Sequence, residues 1–416
     1  MKQMSRREVT IPLDISDIKI LKTEINSQGE MVITIESTKP DTRCQRCGRS
    51  ITKFHGHDEW VTIRYLPVFG RPSYLRYRPR RYYCGDCEVT TTQRVDWHEP
   101  NSPHSMAYDD YVMLQLVNAT IQDVSLKENL GYDRVLGVLE RRVNSEVDWG
   151  QYDCLNVLGL DEIALKKGHG DYVVIVTARL TDQRLVILGV LENREKETVI
   201  EFLRSIPLRL LITIHTVCSD MYEGFTEAVR EEVKSAQLVI DRFHVTRKYR
   251  EGVDSLRKQE LKRLKQELSV EIYSQLKGSM WALRKKQADL KPEERKVLRT
   301  LFSLSPKLKL AYTLQLQLTS IFDEHISKSK AQTKIRAWMK RVKKSELTCF
   351  DDFLKTLTHW WQEITNFFLL RENSGFVEGF NNKIKVLKRR CYVLFNLDHI
   401  FQRIFLDLEG YRLCAR

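Results

Sequence analysis

Between residues 155 and 244 the hydrophobic pattern admits very few topologies. Three apolar runs with the alternation of strands (155–160, 172–179 and 185–191) are joined by stretches containing Lys167-Gly168-His169-Gly170 and Thr181-Asp182-Gln183. Connections that short make an antiparallel trio. The next apolar runs, 211–218 and 237–240, are each reached through a helical stretch (196–205 and 222–233), so these strands lie parallel to their neighbours. A β-β-β-α-β-α-β order follows, with the fourth strand beside the first. Asp161, Asp220 and Asp241 each follow one of these runs. Ligand sites of open α/β sheets collect at strand ends, and this order sets Asp161 beside Asp220. Two facing carboxylates with no cation beside them suit hard divalent ions. Taken singly, each acid also fits a helix N-cap, Asp220 in particular.

Residues 255–370 read as almost wholly helical and rich in lysine, with Pro292 and Pro306 at helix starts. Beyond them, if the chain is helical from about 376, Glu378, Asn381 and Lys385 share one face, making Glu378 a third candidate ligand. Lys383, Lys385, Lys388, Arg389 and Arg390 follow with no acid among them, as phosphate contacts require.

Four of the nine cysteines form two pairs, Cys44/Cys47 and Cys84/Cys87, in a C-x2-C…C-x2-C pattern. Each knuckle presents two thiolates, and two knuckles fill a closed tetrahedral zinc site. Gly48 and Gly85 stand just after a thiol, where a tight turn is needed. His55 and His57 lie between the pairs, either as substitute ligands or as ordinary surface residues. The odd cysteine count and the absence of an export signal point to a cytoplasmic chain without a disulfide framework. No apolar run approaches a membrane span.

The formal net charge is +13, which favours nucleic acid as partner. Between the cysteine pairs, Arg64, Arg71, Arg76, Arg78, Arg80 and Arg81 alternate with aromatics, and residues 60–81 contain no acid. Residues 74–80 read as a strand with one basic face. Asn101-Ser102-Pro103-His104 ends this module. Three short helical patterns follow, 108–120, 121–130 and 132–143, with Gly131 before the last. They fit a helix-turn-helix whose third helix enters the major groove, making Arg134, Arg141 and Arg142 candidate DNA contacts.

Taken together, the two knuckles, the helix-turn-helix, Leu160-Asp161-Glu162, Ser219-Asp220-Met221, Asp241-Arg242-Phe243-His244 and Glu378-Gly379-Phe380-Asn381 with Ile384-Lys385 and Leu387-Lys388-Arg389 resemble the ISL3 family of insertion-sequence DDE transposases. The resemblance spans nearly the whole chain. It departs from the family at Ser374-Gly375, where Asn-Gly is usual, and at Tyr392-Val393, where Tyr-Gly is usual. It implies a ribonuclease-H-like α/β core (β-β-β-α-β-α-β-α) formed by 151–254 and 371–416, interrupted by a helical insertion at 255–370. It further implies a zinc-binding β module at 1–103 and a helix-turn-helix at 104–150, both for binding terminal inverted repeats. Asp161, Asp220 and Glu378 become the triad holding two Mg2+ (or Mn2+) ions for cleavage and strand transfer, with zinc on the four cysteines. Arg242 and His244 become candidates for positioning phosphate, and Asp241 an alternative acid. The implied partners are double-stranded DNA, as element ends and as target, and a second copy of the chain in a homodimer or larger synaptic complex at the bacterial nucleoid. Two rival readings are a zinc/helix-turn-helix regulator with an inactive core and a Mg2+-dependent nuclease without strand transfer.

Overall fold

The apolar run after Asn156 becomes a strand, but a longer one than its hydrophobicity marks. In the computed structural model, which describes residues 12–164, 172–371, 386 and 396–414, the strand is Val157–Ala164. Asp161 therefore lies inside a strand and not at its end. Antiparallel pairing with the following strand holds the chain extended as far as Ala164, opposite Tyr172, while the parallel partner on the other side stops at Ser219, opposite Leu160.

The chain divides into two compact units, Met1–Val143 with Glu409–Arg416, and Asn144–Leu408. In the first, the described strands are β1 (Ile18–Ile25), β2 (Met31–Ser37), β3 (Thr42–Arg43), β4 (Ser50–Ile51), β5 (Phe54–His57), β6 (Val61–Val68), β7 (Arg71–Tyr77), β8 (Arg80–Cys84) and β9 (Val89–Thr92). They form a four-stranded sheet in the order β1-β2-β7-β6, a β3-β4 hairpin and a three-stranded β5-β8-β9 sheet. Alternate residues Ile63, Tyr65, Leu75 and Tyr77 bury one face of the larger sheet with Ile33 and Ile35. The single basic strand expected across 74–80 is two strands, because Pro79 lacks an N–H for the ladder and divides β7 from β8.

Three helices follow: α1 (Met106–Leu116), α2 (Ile121–Glu128) and α3 (Tyr132–Arg142). Ser105 caps α1, and Thr120 with Asp123 makes a capping box on α2. The left-handed residue of the turn is Asn129, φ 51°, whereas Gly131 serves as the N-cap of α3. Arg64 ties this bundle to β6: its N–H donates to the Pro103 carbonyl and its own carbonyl accepts from Ser105 N–H, both at 2.9 Å.

The second unit contains β10 (Val157–Ala164), β11 (Tyr172–Arg179), β12 (Leu185–Leu191), α4 (Lys196–Ser205), α5 (Leu208–Leu211), β13 (Thr216–Ser219), α6 (Glu223–Glu232) and β14 (Gln237–Ile240). The sheet order is β12-β11-β10-β13-β14, with the first three strands antiparallel and β10, β13 and β14 parallel. The expected neighbours are thus realised. The fourth strand starts later than the apolar run suggests. Pro207 favours a helix N-terminus, so Leu208–Leu211 coil into α5 and only four residues remain to pair with β10.

Leu158 and Leu160 bury one face of the sheet with Val199, Leu203, Phe225 and Val229 of α4 and α6. The other face carries α7 (Arg242–Glu267), whose Val245 and Tyr249 join Val157 and Val239. This helix runs unbroken past residue 254, so the helical region begins directly after β14. It continues through α8 (Val270–Ser274), α9 (Ser279–Leu283), α10 (Pro292–Leu304), α11 (Pro306–Asp323), α12 (Lys328–Lys344), α13 (Asp351–His359) and α14 (Trp361–Leu370). Ser305 caps α11, whose first residue is Pro306. The last described helix, α15 (Leu397–Cys414), lays Ile400, Phe401 and Ile404 against Ile163, Ile175 and Ile187. None of the described helices is long and apolar enough to cross a membrane.

Candidate functional site

The four cysteines converge. One sulfur from each of Cys44, Cys47, Cys84 and Cys87 lies within 4.8 Å of the others, and the Cys47 and Cys84 sulfurs are 3.9 Å apart. Sulfurs bound tetrahedrally at ~2.3 Å from a zinc ion stand ~3.8 Å apart, so the thiols fit the ion. Neither His55 nor His57 belongs to the cluster. The first thiol of each pair is buried with Ile51 and Tyr82. Each knuckle turns through a left-handed residue just after its second thiol. In the first pair this is Gly48, φ 72°; in the second it is Glu88, φ 54°, and not Gly85. Backbone N–H groups of Cys47 and Arg46 draw the Cys44 thiol down to about 6, whereas Cys87, crowded by Cys47 and Cys84, is pushed up to about 12. Four thiols this close do not all ionise alone, and a dication supplies the missing charge.

The second cluster lies in the other unit. Asp161 and Asp220 sit one residue beyond the last parallel pair, Leu160–Ser219, and are therefore side by side. With His244 on the first turn of α7 they offer three ligand atoms within 4.8 Å of one another. His244 Nε2 stands 3.2 Å from Asp220 Oδ1. Burial pushes the Asp220 carboxyl up to about 8, and the charges of Asp161, Asp241 and Glu162 add to the shift. Negative charge is thus concentrated at this point, with Arg247 offsetting only part of the shift.

Asp220 does not cap a helix. The N-cap of α6 is Tyr222, which makes no side-chain cap. Asp241 is the one that caps, accepting from Phe243 N–H at 2.8 Å at the start of α7. The two acids that looked alike in sequence thus do different work. Arg242, expected to position phosphate, instead pairs with Asp323 and lies over the Phe322 and Phe367 rings, fastening α7 to α11 and α14. One residue was missed by the sequence reading. Arg194 donates to Glu162 at 2.9 Å and lies between the rings of Tyr172 and Tyr222, 5.3 and 4.8 Å from their centroids. Its only sequence signal is its place in the loop between β12 and α4.

Glu378, Asn381, Lys385, Lys388 and Arg389 lie outside the described residues.

Most of the expected DNA-contacting arginines are engaged within the first unit. Arg64 lies over the Tyr74 and Tyr108 rings and donates to the Tyr74 hydroxyl at 2.8 Å. Arg80 pairs with Glu36 at 2.9 Å, Arg81 with Asp58 at 3.4 Å, and Arg71 donates to the Gly29 carbonyl at 3.0 Å. Arg78 donates to the Asp58 carbonyl, also at 3.0 Å. The acids absent from 60–81 are thus supplied by Glu36 of β2 and by Asp58 in the loop between β5 and β6. Arg76 is exposed and lies over the Trp60 ring at 4.8 Å. Arg141 and Arg142 pair with Asp109 and Asp110, bracing α3 against α1. Arg134, on the first turn of α3, is exposed, with no ion pair among the described residues.

Comparison with known proteins agrees with this arrangement. A family model described as a transposase, of the ISL3 DDE type, matches residues 158–404, more than half of the chain. A second, described as the zinc-finger of transposase IS204/IS1001/IS1096/IS1165, matches 40–87, and a third, the helix-turn-helix domain of transposase family ISL3, matches 93–143. The chain is 25% identical to the transposase for insertion sequence element IS1001 of Bordetella parapertussis over 379 residues, 91% of each chain. It is 22% identical to the transposase for insertion sequence element IS1557 of Mycobacterium tuberculosis over 423 aligned positions, covering 95% of this chain and 93% of that one.

Proposed function

This chain belongs to the ISL3 family of DDE transposases, and from that premise we propose that it binds the terminal inverted repeats of an insertion sequence, cleaves DNA at their ends and joins the freed strands to a target. The carrying observation is the meeting of Asp161 and Asp220 on adjacent strands, with His244 beside them and the Asp220 carboxyl raised by burial and by the neighbouring acids. Glu378 completes the triad in this reading. The sheet order β12-β11-β10-β13-β14 supports a ribonuclease-H-like core.

Hard carboxylate oxygens suit Mg2+ or Mn2+, and such ions compensate charge on the attacking and leaving oxygens of an in-line displacement. The chain's own contribution is positioning. Asp161 is fixed by strand pairing on the β11 side, and His244 restrains Asp220 through one oxygen. That leaves the other Asp220 oxygen for a cation, and makes His244 either a further ligand or the group that orients Asp220. Arg194, on the loop before α4, is held by Glu162 and by the rings of Tyr172 and Tyr222. Recognition falls to the zinc module and the helix-turn-helix, with Arg134 and Arg76 as the leading contacts. Joining two ends calls for at least two copies of the chain.

The test is a strand-transfer assay with precut inverted-repeat ends, a supercoiled target and Mg2+. The wild-type protein joins ends to target and the Asp161→Asn variant does not. Cleaved but unjoined DNA from the wild type would make the protein a nuclease, and binding without cleavage would make it a regulator.

A further inference from the structure

Charge on the helical region is handled in two opposite ways. On α7 each acid of the helix is paired with a cation of the same helix: Glu251 with Arg247, Asp254 with Arg257 and Lys258, and Glu260 and Glu267 with Arg263. That is the ordinary solvated, ion-paired helix. Helix α12 has no acid in its 17 residues, yet carries Lys328, Lys330, Lys334, Arg336, Lys340, Arg341, Lys343 and Lys344.

Its inner stripe is a normal core contact. Ala331, Ile335, Trp338 and Val342 are buried, and the Trp338 indole donates to the Leu314 carbonyl at 2.8 Å. The outward face is then Lys330, Thr333, Arg336, Ala337, Lys340, Lys343 and Lys344, all exposed. Lys334 is answered by Glu324, Lys328 by Asn366, and Arg336 lies over the Trp361 ring. Among the described residues, Lys330, Lys340, Arg341, Lys343 and Lys344 make no ion pair. Arg336 with Lys340, and Lys340 with Lys344, stand four apart and repel one another. The helix dipole accounts for cations in the last turn, but not for Lys330, Arg336 or Lys340. Ser329, Thr333 and Ala337 run between the flanking cations, a low floor on which a phosphate backbone can come close.

We propose that this face of α12 grips the phosphate backbone of duplex DNA without regard to sequence. Seventeen residues extend ~25 Å, about seven base pairs of duplex. The grip is rigidly mounted. Gln332 donates to Thr365 at 3.1 Å, Lys328 to Asn366 at 2.6 Å, and Asn366 to the Leu238 carbonyl of β14 at 2.7 Å. The basic helix is thus fastened through α14 to the sheet that carries Asp161 and Asp220. The inference rests on the transposase reading only for the identity of the polyanion.

The test measures binding of the full chain to a random-sequence duplex, by fluorescence anisotropy over a salt series. One variant combines Lys330→Gln, Arg336→Gln, Lys340→Gln and Lys344→Gln. A comparator removes as many charges elsewhere, at Lys262, Lys265, Lys296 and Arg299. The slope of log affinity against log salt should fall by about 3–4 in the α12 variant, since each lost phosphate contact is worth roughly 0.9. It should stay near wild type in the comparator. Lys340→Glu alone, which leaves the inner stripe intact, should lower the slope by about 1 and covers the case in which the fourfold variant does not fold. Unchanged slopes, or equal losses in variant and comparator, overturn the proposal. Loss confined to single-stranded DNA or RNA overturns the duplex assignment. Asp161→Asn keeps the full slope, so failure of the cleavage reading and failure of this one are told apart.

Discussion

The thiol cluster and the acid cluster each bring their ligand atoms within 4.8 Å of one another, yet they are built by opposite means. The thiols come from two short knuckles, in the β3-β4 hairpin and the β8-β9 turn, and each knuckle is complete in four consecutive residues. The acids come from strands joined only through sheet topology, with His244 added by α7. The thiol site is closed: four ligands, two of them buried, suited to an ion that holds the module together. The acid site gathers carboxylates in a buried place, and burial together with the charges of Asp161, Asp241 and Glu162 raises Asp220. One arrangement stabilises a fold, and the other holds strain of the kind that chemistry uses.

The largest effect should come from breaking the closed site. Cys84→Ser, or chelation, should cost much of the ~10 kcal/mol or more typical of structural zinc and unfold the small sheets of the first unit. Circular dichroism and a zinc assay giving one ion per chain would check this. A chelated protein that keeps its N-terminal strands would mean that the thiols are not a structural site. Breaking the open site should leave the fold intact. Asp161→Asn should lower nicking by at least about a thousandfold, ~4 kcal/mol, while a gel shift on inverted-repeat DNA stays as in wild type. Cys84→Ser should lose the gel shift instead. If each variant lost both activities, the division between the two sites would fail.

What was legible in the sequence follows the same division. The knuckles could be read directly because metal ligation needs residue types at fixed short spacing. The neighbour relation of Asp161 and Asp220 could be read because short turns and helical crossovers leave one economical strand order. Side-chain partners from distant segments could not. The stretch 60–81 contains no acid, yet Glu36 of β2 and Asp58 of the β5–β6 loop take up Arg80 and Arg81. Asp109 and Asp110 likewise take up Arg141 and Arg142 from α1, and Asp323 takes Arg242 from α11. A count of local charge therefore overstated the free cations there, and the lysine richness of 255–370 did not by itself single out the face of α12.

A smaller effect separates the two acids that looked alike. Asp241→Ala should lower stability by ~1 kcal/mol, the worth of an N-cap, and Asp241→Asn should restore most of it, because an amide oxygen still accepts from Phe243 N–H. Thermal melts of both variants check this. Asp220→Asn has no cap to lose and should not lower the melting temperature. If it melts like Asp241→Ala, the contrast between the capping acid and the site acid is gone.

The smallest effect concerns how far the first unit depends on its thiols alone. His98 is buried, with Nδ1 2.7 Å from the Tyr77 hydroxyl and Nε2 2.8 Å from the Ser102 carbonyl. A carbonyl only accepts, so Nε2 carries the proton and Nδ1 accepts from Tyr77. That ring is satisfied only while neutral, and burial holds its pKa below the usual histidine range. Its contribution to stability is fully present above the unfolded value near 6.5 and is lost as pH falls through that value toward the lower folded one. The zinc-loaded protein should therefore lose stability gradually below about pH 6.5, before acid displaces the metal. In His98→Gln, the denaturation midpoint should be flatter with pH across this window. An equally steep decline in that variant would place the acid sensitivity elsewhere in the first unit, in the thiol site or the buried His104–Asp109 pair.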